Sequence, residues 1–227
     1  MNRKNNRYFL IPAFCFLFFV IPTAAQSNCG TADYDCNIDY QTRQIEADKN
    51  NAEAFYARGR AYKSKGEYDL AMTDMDTYLS FDIKDKSYLA DGLRERAWLR
   101  RHEGDRKGAV WDLSRAIEEN PGEIEAYYVR GDIYIELTFF DDAIRDFTKY
   151  IGLVATRSPL AADGHAGRAQ AYNAIKKYSL AIQDLNIAIG IKPKEPLFYQ
   201  ERAYAYRSLG KKALADADDA KAIALQQ

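Results

Sequence analysis

The stretch RGDIY, Arg130 to Tyr134, contains Arg130-Gly131-Asp132, a tripeptide that signals adhesion when it sits at the tip of an exposed loop. Whether it does so here depends on where else the five residues occur. RGRAY (Arg58 to Tyr62) is a near copy, and RAWLR (Arg96 to Arg100), RAQAY (Arg168 to Tyr172) and RAYAY (Arg202 to Tyr206) are related versions. The five arginines are 38, 34, 38 and 34 residues apart, so two successive units always sum to 72. A fixed period of this length is the signature of a repeat array.

Aligned on the arginines, the chain shows columns at helical spacing. Three residues before come Phe55, Leu93, Tyr127, His165 and Tyr199; directly after come Gly59, Ala97, Gly131, Ala169 and Ala203. Three further on stand Tyr62, Arg100, Tyr134, Tyr172 and Tyr206. A stripe at i, i+4 and i+7 is one buried helix face. A second helix follows in each unit after a turn, clearest at Gly66, Gly104 and Gly210, with a small residue at Ala71, Ala109, Ala143, Ala181 and Ala215. Four residues later come Met75, Leu113, Phe147, Leu185 and, out of pattern, Asp219; Pro121 and Pro193 close the second and fourth units.

These columns resemble the tetratricopeptide repeat, whose signature is an aromatic, a small residue and a tyrosine in one helix, then alanine, an aromatic and proline in the next. The resemblance covers Asn51 to about Leu225. It implies an all-α fold, a right-handed superhelical solenoid of five helix-turn-helix repeats, with units near 52–85, 90–123, 124–157, 162–195 and 196–227. Residues 26–50 would form an N-terminal segment whose helix, NIDYQTRQIEADKN (Asn37 to Asn50), is a partial repeat. At the other end KKALADADDAKAIALQQ (Lys211 to Gln227) reads as a polar cap. In this register Gly131 sits where two helices press together, which places the tripeptide in a helix interior.

The chain departs from the family pattern in two ways. Each arginine stands where a hydrophobic residue is usual, and each is followed 16 residues later by an aspartate: Arg58 and Asp74, Arg96 and Asp112, Arg130 and Asp146, Arg168 and Asp184, Arg202 and Asp218. The recurrence suggests bidentate ion pairs within or between units. The first-to-second and third-to-fourth junctions each carry four extra residues, around DIKDKSY (Asp82 to Tyr88) and VATRSPL (Val154 to Leu160). Both follow a tyrosine, Tyr78 or Tyr150, where alanine is usual, and the junctions are expected to be looser.

Composition narrows the function. Lys+Arg 32 against Asp+Glu 33 supplies no field for a polyanion, so no nucleic-acid partner is read. Arg3, Lys4 and Arg7 precede the apolar run Tyr8 to Ile21 and then PTAAQ, the layout of a secretory signal peptide over residues 1–25 with cleavage after Ala25; retention as an anchor is the alternative. After cleavage no membrane insertion is expected, and the protein is periplasmic or secreted. Cys29 and Cys36 would then meet an oxidising compartment and pair as a disulfide.

Members of the family bind extended peptides or partner helices along a groove lined by the first helices. Projection puts Tyr56, Arg60, Lys63, Arg94, Trp98, Arg101, Tyr128, Asp132, Glu136, Gln170, Asn173, Tyr204 and Arg207 on that face. Its first half is basic and aromatic, suiting an acidic or carboxylate-ended partner segment with an apolar anchor, while unit three is acidic. The lysine and asparagine of the family's chaperone-tail clamp are replaced by Tyr56 and Arg60. No catalytic set, cofactor or metal site is read: HEGDR at His102 is not the paired-histidine zinc motif, and glycine-rich phosphate loops are absent from the sequence. The expected function is a non-catalytic protein-interaction scaffold; the alternatives are a structural subunit that self-assembles through its ends, or an envelope enzyme with an unrecognised site.

Overall fold

The structure, a computed structural model, describes residues 33–226. The expected signal peptide and Cys29 lie outside that range. Among the described residues there are eleven helices and no strand. After α1 (Tyr34–Ala47) they run as hairpins: α2 (Ala52–Lys65) with α3 (Tyr68–Ser80), α4 (Lys86–His102) with α5 (Arg106–Glu119), α6 (Ile124–Glu136) with α7 (Phe140–Leu153), α8 (Pro159–Ala174) with α9 (Tyr178–Ile191), and α10 (Pro196–Ser208) with α11 (Lys212–Ala224). Each helix packs chiefly on its neighbours in sequence, as a solenoid requires.

Local chemistry sets the helix ends. Side chains of Asn51, Asp85, Asp105 and Ser158 accept backbone N–H bonds at the starts of α2, α4, α5 and α8. The tight turn inside each hairpin needs one left-handed residue. Gly66, Gly104 and Gly210 supply it in units one, two and five, while Thr138 (φ 63°) and Lys176 (φ 61°) adopt it in units three and four.

Small residues let the helices approach. Ala71, Ala97, Ala109, Ala143, Ala169, Ala181, Ala203 and Ala215 are all fully buried. A Cβ added to Gly131 would meet the Phe147 ring at 3.1–3.2 Å. Arg130-Gly131-Asp132 is therefore helix interior in α6, with its glycine against the core and not at a loop tip.

The extra residues at the two junctions are largely taken up by helix. They lengthen the first helices, so α4 has 17 residues and α8 has 16, against 14, 13 and 13 in the other units. Units two and four thus begin with α4 at Lys86 and α8 at Pro159, ahead of the expected positions 90 and 162. Just after the added turns, four residues before Arg96 and Arg168, lie Gly92 and Gly164, against Tyr78 and Tyr150, which are 5% and 3% exposed. A Cβ on Gly92 would stand 2.3 Å from the Tyr78 ring, and one on Gly164 would stand 2.6 Å from that of Tyr150. The tyrosines that replace alanine are accommodated by glycines that replace a side chain, and the Tyr78 hydroxyl also donates to the Tyr88 carbonyl at 2.8 Å. At these two contacts ring and helix backbone are closely packed.

Candidate peptide-binding face

The five arginines order the first helices and so the face those helices present. Arg58, Arg96, Arg130, Arg168 and Arg202 each donate Nε and Nη2 to the two carboxylate oxygens of Asp74, Asp112, Asp146, Asp184 and Asp218, at 2.7–3.0 Å. Every pair is bidentate and lies within its own unit. The third nitrogen, Nη1, reaches back to the second helix of the unit before. It donates to Asp76 (2.8 Å), Ser114 (2.9 Å), Thr148 (3.0 Å) and Asn186 (2.6 Å), and in the first unit to Thr42 of α1 (3.2 Å). One guanidinium thus ties three helices, and α1 occupies the place of a preceding second helix.

The acceptor column was not read from the sequence, although a signal exists. An oxygen-bearing residue stands two places after each internal aspartate, at Asp76, Ser114, Thr148 and Asn186. After Asp218 that place is Ala220, which has no side-chain acceptor. The register of α11 follows from the same pair: Asp218 bonds Arg202, and Asp219, out of the apolar column, pairs with Arg207. The Asp219 side chain is 40% exposed, so a polar residue can stand there.

Two rungs carry a further donor. Arg100 Nη1 lies 2.8 Å from the fully buried Asp112, and His165 Nδ1 lies 2.8 Å from Asp184. Burial pushes the Asp184 carboxyl up, but hydrogen bonds from Arg168 and His165 outweigh it and hold the group below the ordinary aspartate value. His165 is thus a partner of the ladder within the core.

Several groove residues meet carboxylates that sequence projection left out. Glu95, 4% exposed, is the hub: Lys63 bonds it, and Arg60 and Arg94 lie 3.8 and 3.6 Å away. Arg94 also pairs with Asp91 (3.1 Å), Glu123 (3.1 Å) and Glu125 (3.0 Å). Arg101 bonds Glu136 and lies 3.5 Å from Asp132. The expected basic half and acidic third unit therefore largely neutralise each other in two clusters, one around Arg94 and Glu95 and one around Arg101 and Glu136. The cause is that residues about one unit apart in sequence become neighbours in the stack. Burial raises the pKa of Asp132 despite Arg101, whereas Glu136, though burial pushes it up, is held down by hydrogen bonds from Arg101 and Arg106.

The remaining positions divide into buried and open. Asn173 is 4% exposed and donates to Glu201 Oε2 at 3.0 Å, so it lies between α8 and α10 and not on the face. Tyr128 packs on Phe147 and Tyr150, with ring centroids at 5.7 and 5.1 Å; burial, followed by the charges of Asp132 and Asp163, pushes its hydroxyl up to about 12. Tyr56 is half-buried, against Tyr78. Arg60, Trp98, Gln170, Tyr204 and Arg207 are exposed. Trp98 is held in place, stacked within 5° of His102 at 5.4 Å and packed against Tyr68 at 5.5 Å. Tyr204 meets Tyr178 edge-on at 6.1 Å.

A family model described as tetratricopeptide repeat matches residues 52–82. Tetratricopeptide repeat protein 16 of Homo sapiens is 25% identical over 201 residues, which is 81% of this chain and 23% of that protein. The mouse protein of the same name is 26% identical over 210 residues, covering 85% of this chain and 27% of its own length. The chain thus spans about a quarter of the length of these curated relatives. Among solved structures, a tetratricopeptide repeat protein from Parabacteroides merdae superposes with a TM-score of 0.70 at 25% identity, covering 85% of this chain and 73% of its own. MamA from Desulfovibrio magneticus gives 0.70 at 15% identity over 77% of this chain and 94% of that one. YrrB, described as a TPR protein with an unusual peptide-binding site, gives 0.70 at 15% identity over 83% and 93%. The last two likenesses concern the fold alone. With five stacked helix pairs, repeat columns in register, a family-model match over the first pair and tetratricopeptide repeat proteins among its relatives, the chain has the fold of a tetratricopeptide repeat solenoid.

Proposed function

We propose that the protein is an exported, non-catalytic scaffold that holds an extended segment or helix of a partner protein along the face of its first helices. The observation that carries this reading is the fixed, open aromatic surface on that face, where Trp98 (39% exposed) and Tyr204 (50% exposed) are braced by other rings. A braced aromatic offers contact area at little entropic cost, as binding hot spots do. Trp98 would receive the apolar anchor that the sequence reading gives the partner segment. The preference for an acidic or carboxylate-ended segment rests on Arg60, whose side chain is 58% exposed and reaches Glu95 only at 3.8 Å, whereas Arg94 and Arg101 make closer pairs.

Capture from an envelope extract tests this. Trp98→Ala and Tyr204→Ala should lose the captured partner, while Trp111→Ala, an exposed tryptophan on α5 (52%), should keep it. Equal loss in all three variants contradicts a first-helix site. Export rests on the sequence of residues 1–25, and the purified protein should begin at Gln26. A Cys29–Cys36 disulfide, with Cys36 in the first turn of α1, should make the mature chain resist alkylation until it is reduced.

A second reading, self-assembly through the array ends, is favoured by the exposed Leu214 (48%) and Ile223 (59%) on α11. Against it, Ala220 offers no acceptor to a following arginine. Light scattering that shows a concentration-independent monomer removes this reading.

A further inference from the structure

At the first junction, the end of α3, the link 81–85 and the start of α4 close over the first turn of α2 and leave a cavity of about 540 Å³. Its walls are aromatic: Tyr56, Tyr78, Phe81 and Tyr88. The Tyr56 and Tyr78 rings stand 5.0 Å apart at 45°, forming a corner and not a closed stack. The rim carries the carboxylates of Glu53, Asp82 and Asp85 against one cation, Lys84, which pairs with Asp82. Glu53 and Asp85 form no ion pair among the described residues; Asp85 accepts the N–H bonds of Ser87 and Tyr88 as the cap of α4.

Aromatic faces and a carboxylate rim are complementary to one kind of guest. A ring face attracts a cation through its quadrupole, worth about 0.5–1 kcal/mol at an exposed site and about 2 when water is excluded. The carboxylates add a net negative field. An anionic guest is repelled by both features, and a purely apolar guest leaves the carboxylates uncompensated. Tyr56 already serves one cation: Arg60, which is not among the lining residues, lies 5.8 Å from its ring centre.

We propose that this cavity receives a basic side chain, lysine or arginine, of the partner segment held along the first-helix face. It rests on the reading of that face as a holding surface, since Tyr56 belongs to both. Burial, which opposes a charge of either sign, pushes the Tyr78 hydroxyl up to about 12, and the nearby Asp91 and Asp85 carboxylates, which oppose an anion alone, add to it. The partner then carries mixed charge, with an acidic group near Arg60 and a basic one beyond Tyr56.

The test uses n-butylammonium, a lysine side chain without its backbone, together with n-butanol and butyrate as neutral and anionic counterparts. Each is titrated into the full chain with isotope-labelled tyrosine rings. Butylammonium should give saturable shifts at Tyr56, Tyr78 and Tyr88 in the millimolar range, with butanol roughly fivefold weaker and butyrate giving none. Glu53→Gln/Asp85→Asn should weaken butylammonium by roughly fivefold. Asparagine caps a helix as well as aspartate does, so α4 keeps its start. Equal binding of butanol, undiminished binding in the double variant, or no saturable shift up to about 50 mM overturns the proposal. Because the probe is a small cation, its failure leaves the Trp98 capture result standing. Loss of capture in turn leaves the cavity result standing.

Discussion

The first and third junctions share one packing device and surround it with different chemistry. Tyr78 against Gly92 is repeated 72 residues on as Tyr150 against Gly164, with the rings buried in both places. Around that device Phe81, Asp82, Asp85 and Tyr88 correspond to Leu153, Val154, Arg157 and Leu160. One mouth is aromatic and acidic; the other is aliphatic with an arginine. The ladder shows the same split, because the rungs of units two and four both carry an extra donor, Arg100 in one and His165 in the other, from different columns. Helix approach tolerates little change, whereas the groups around it are free to differ, and those groups can set function.

The strongest test of this comparison is on the rungs. Asp112→Ala leaves Arg96 and Arg100 without their shared carboxylate, and Asp184→Ala does the same to Arg168 and His165. Removing one partner of a buried pair costs roughly 3–5 kcal/mol, so urea unfolding should show losses of that order in both doublets. Losses below about 1 kcal/mol would make the ladder incidental.

Next in size are the notches. Gly92→Ala and Gly164→Ala should each cost about 1–3 kcal/mol through overpacking. Adding Tyr78→Leu to the first should recover part of that loss and leave the second unaffected. Additive losses would break the proposed pairing of tyrosine with glycine.

The hairpin turns offer a smaller contrast. The first doublet places Gly66 and Gly104 in the left-handed conformation, where the second places Thr138 and Lys176. Thr138→Gly should therefore stabilise by about 1 kcal/mol, relief of left-handed strain exceeding the entropy that glycine costs, as thermal unfolding would report.

The smallest effect concerns pH. Asp184 is held below its unfolded pKa, so its contribution is present above the ordinary carboxylate range and is lost as pH falls through the lowered value. His165→Phe removes one donor that lowers it, and the acid-unfolding midpoint should move to higher pH. Leu93→Phe, the equivalent change in unit two, should not move it.

Much of this architecture was legible in the sequence, because repetition amplifies weak signals. Arginine and aspartate 16 residues apart, five times over, point to a partnership, and glycine or alanine after each arginine points to close helix approach. What escaped has physical reasons. The acceptors Asp76, Ser114, Thr148 and Asn186 share only a side-chain oxygen, so no single residue type marks their column. The four extra residues at the first junction stand in the largely charged Asp82 to Lys86 and gave no helix signal, yet from Lys86 they continue the helix that Asp85 caps. The charge of the groove depended on which side chains of neighbouring units meet, and Glu95 beside Lys63 and Arg60 is such a meeting. Asn173 projects onto the open face of an isolated helix but is covered by α10 in the stack.

Whether the first helices form the holding surface can be read directly by site-specific photo-crosslinking in the producing cells. A photoreactive phenylalanine replaces Trp98, Gln170 or Tyr204 on the first helices, and Trp111 or Leu180 on the second. Crosslinks to one partner from the first three sites and none from the last two are the expected result. Crosslinks from Trp111 and Leu180 alone, or only between copies of this chain, would contradict it.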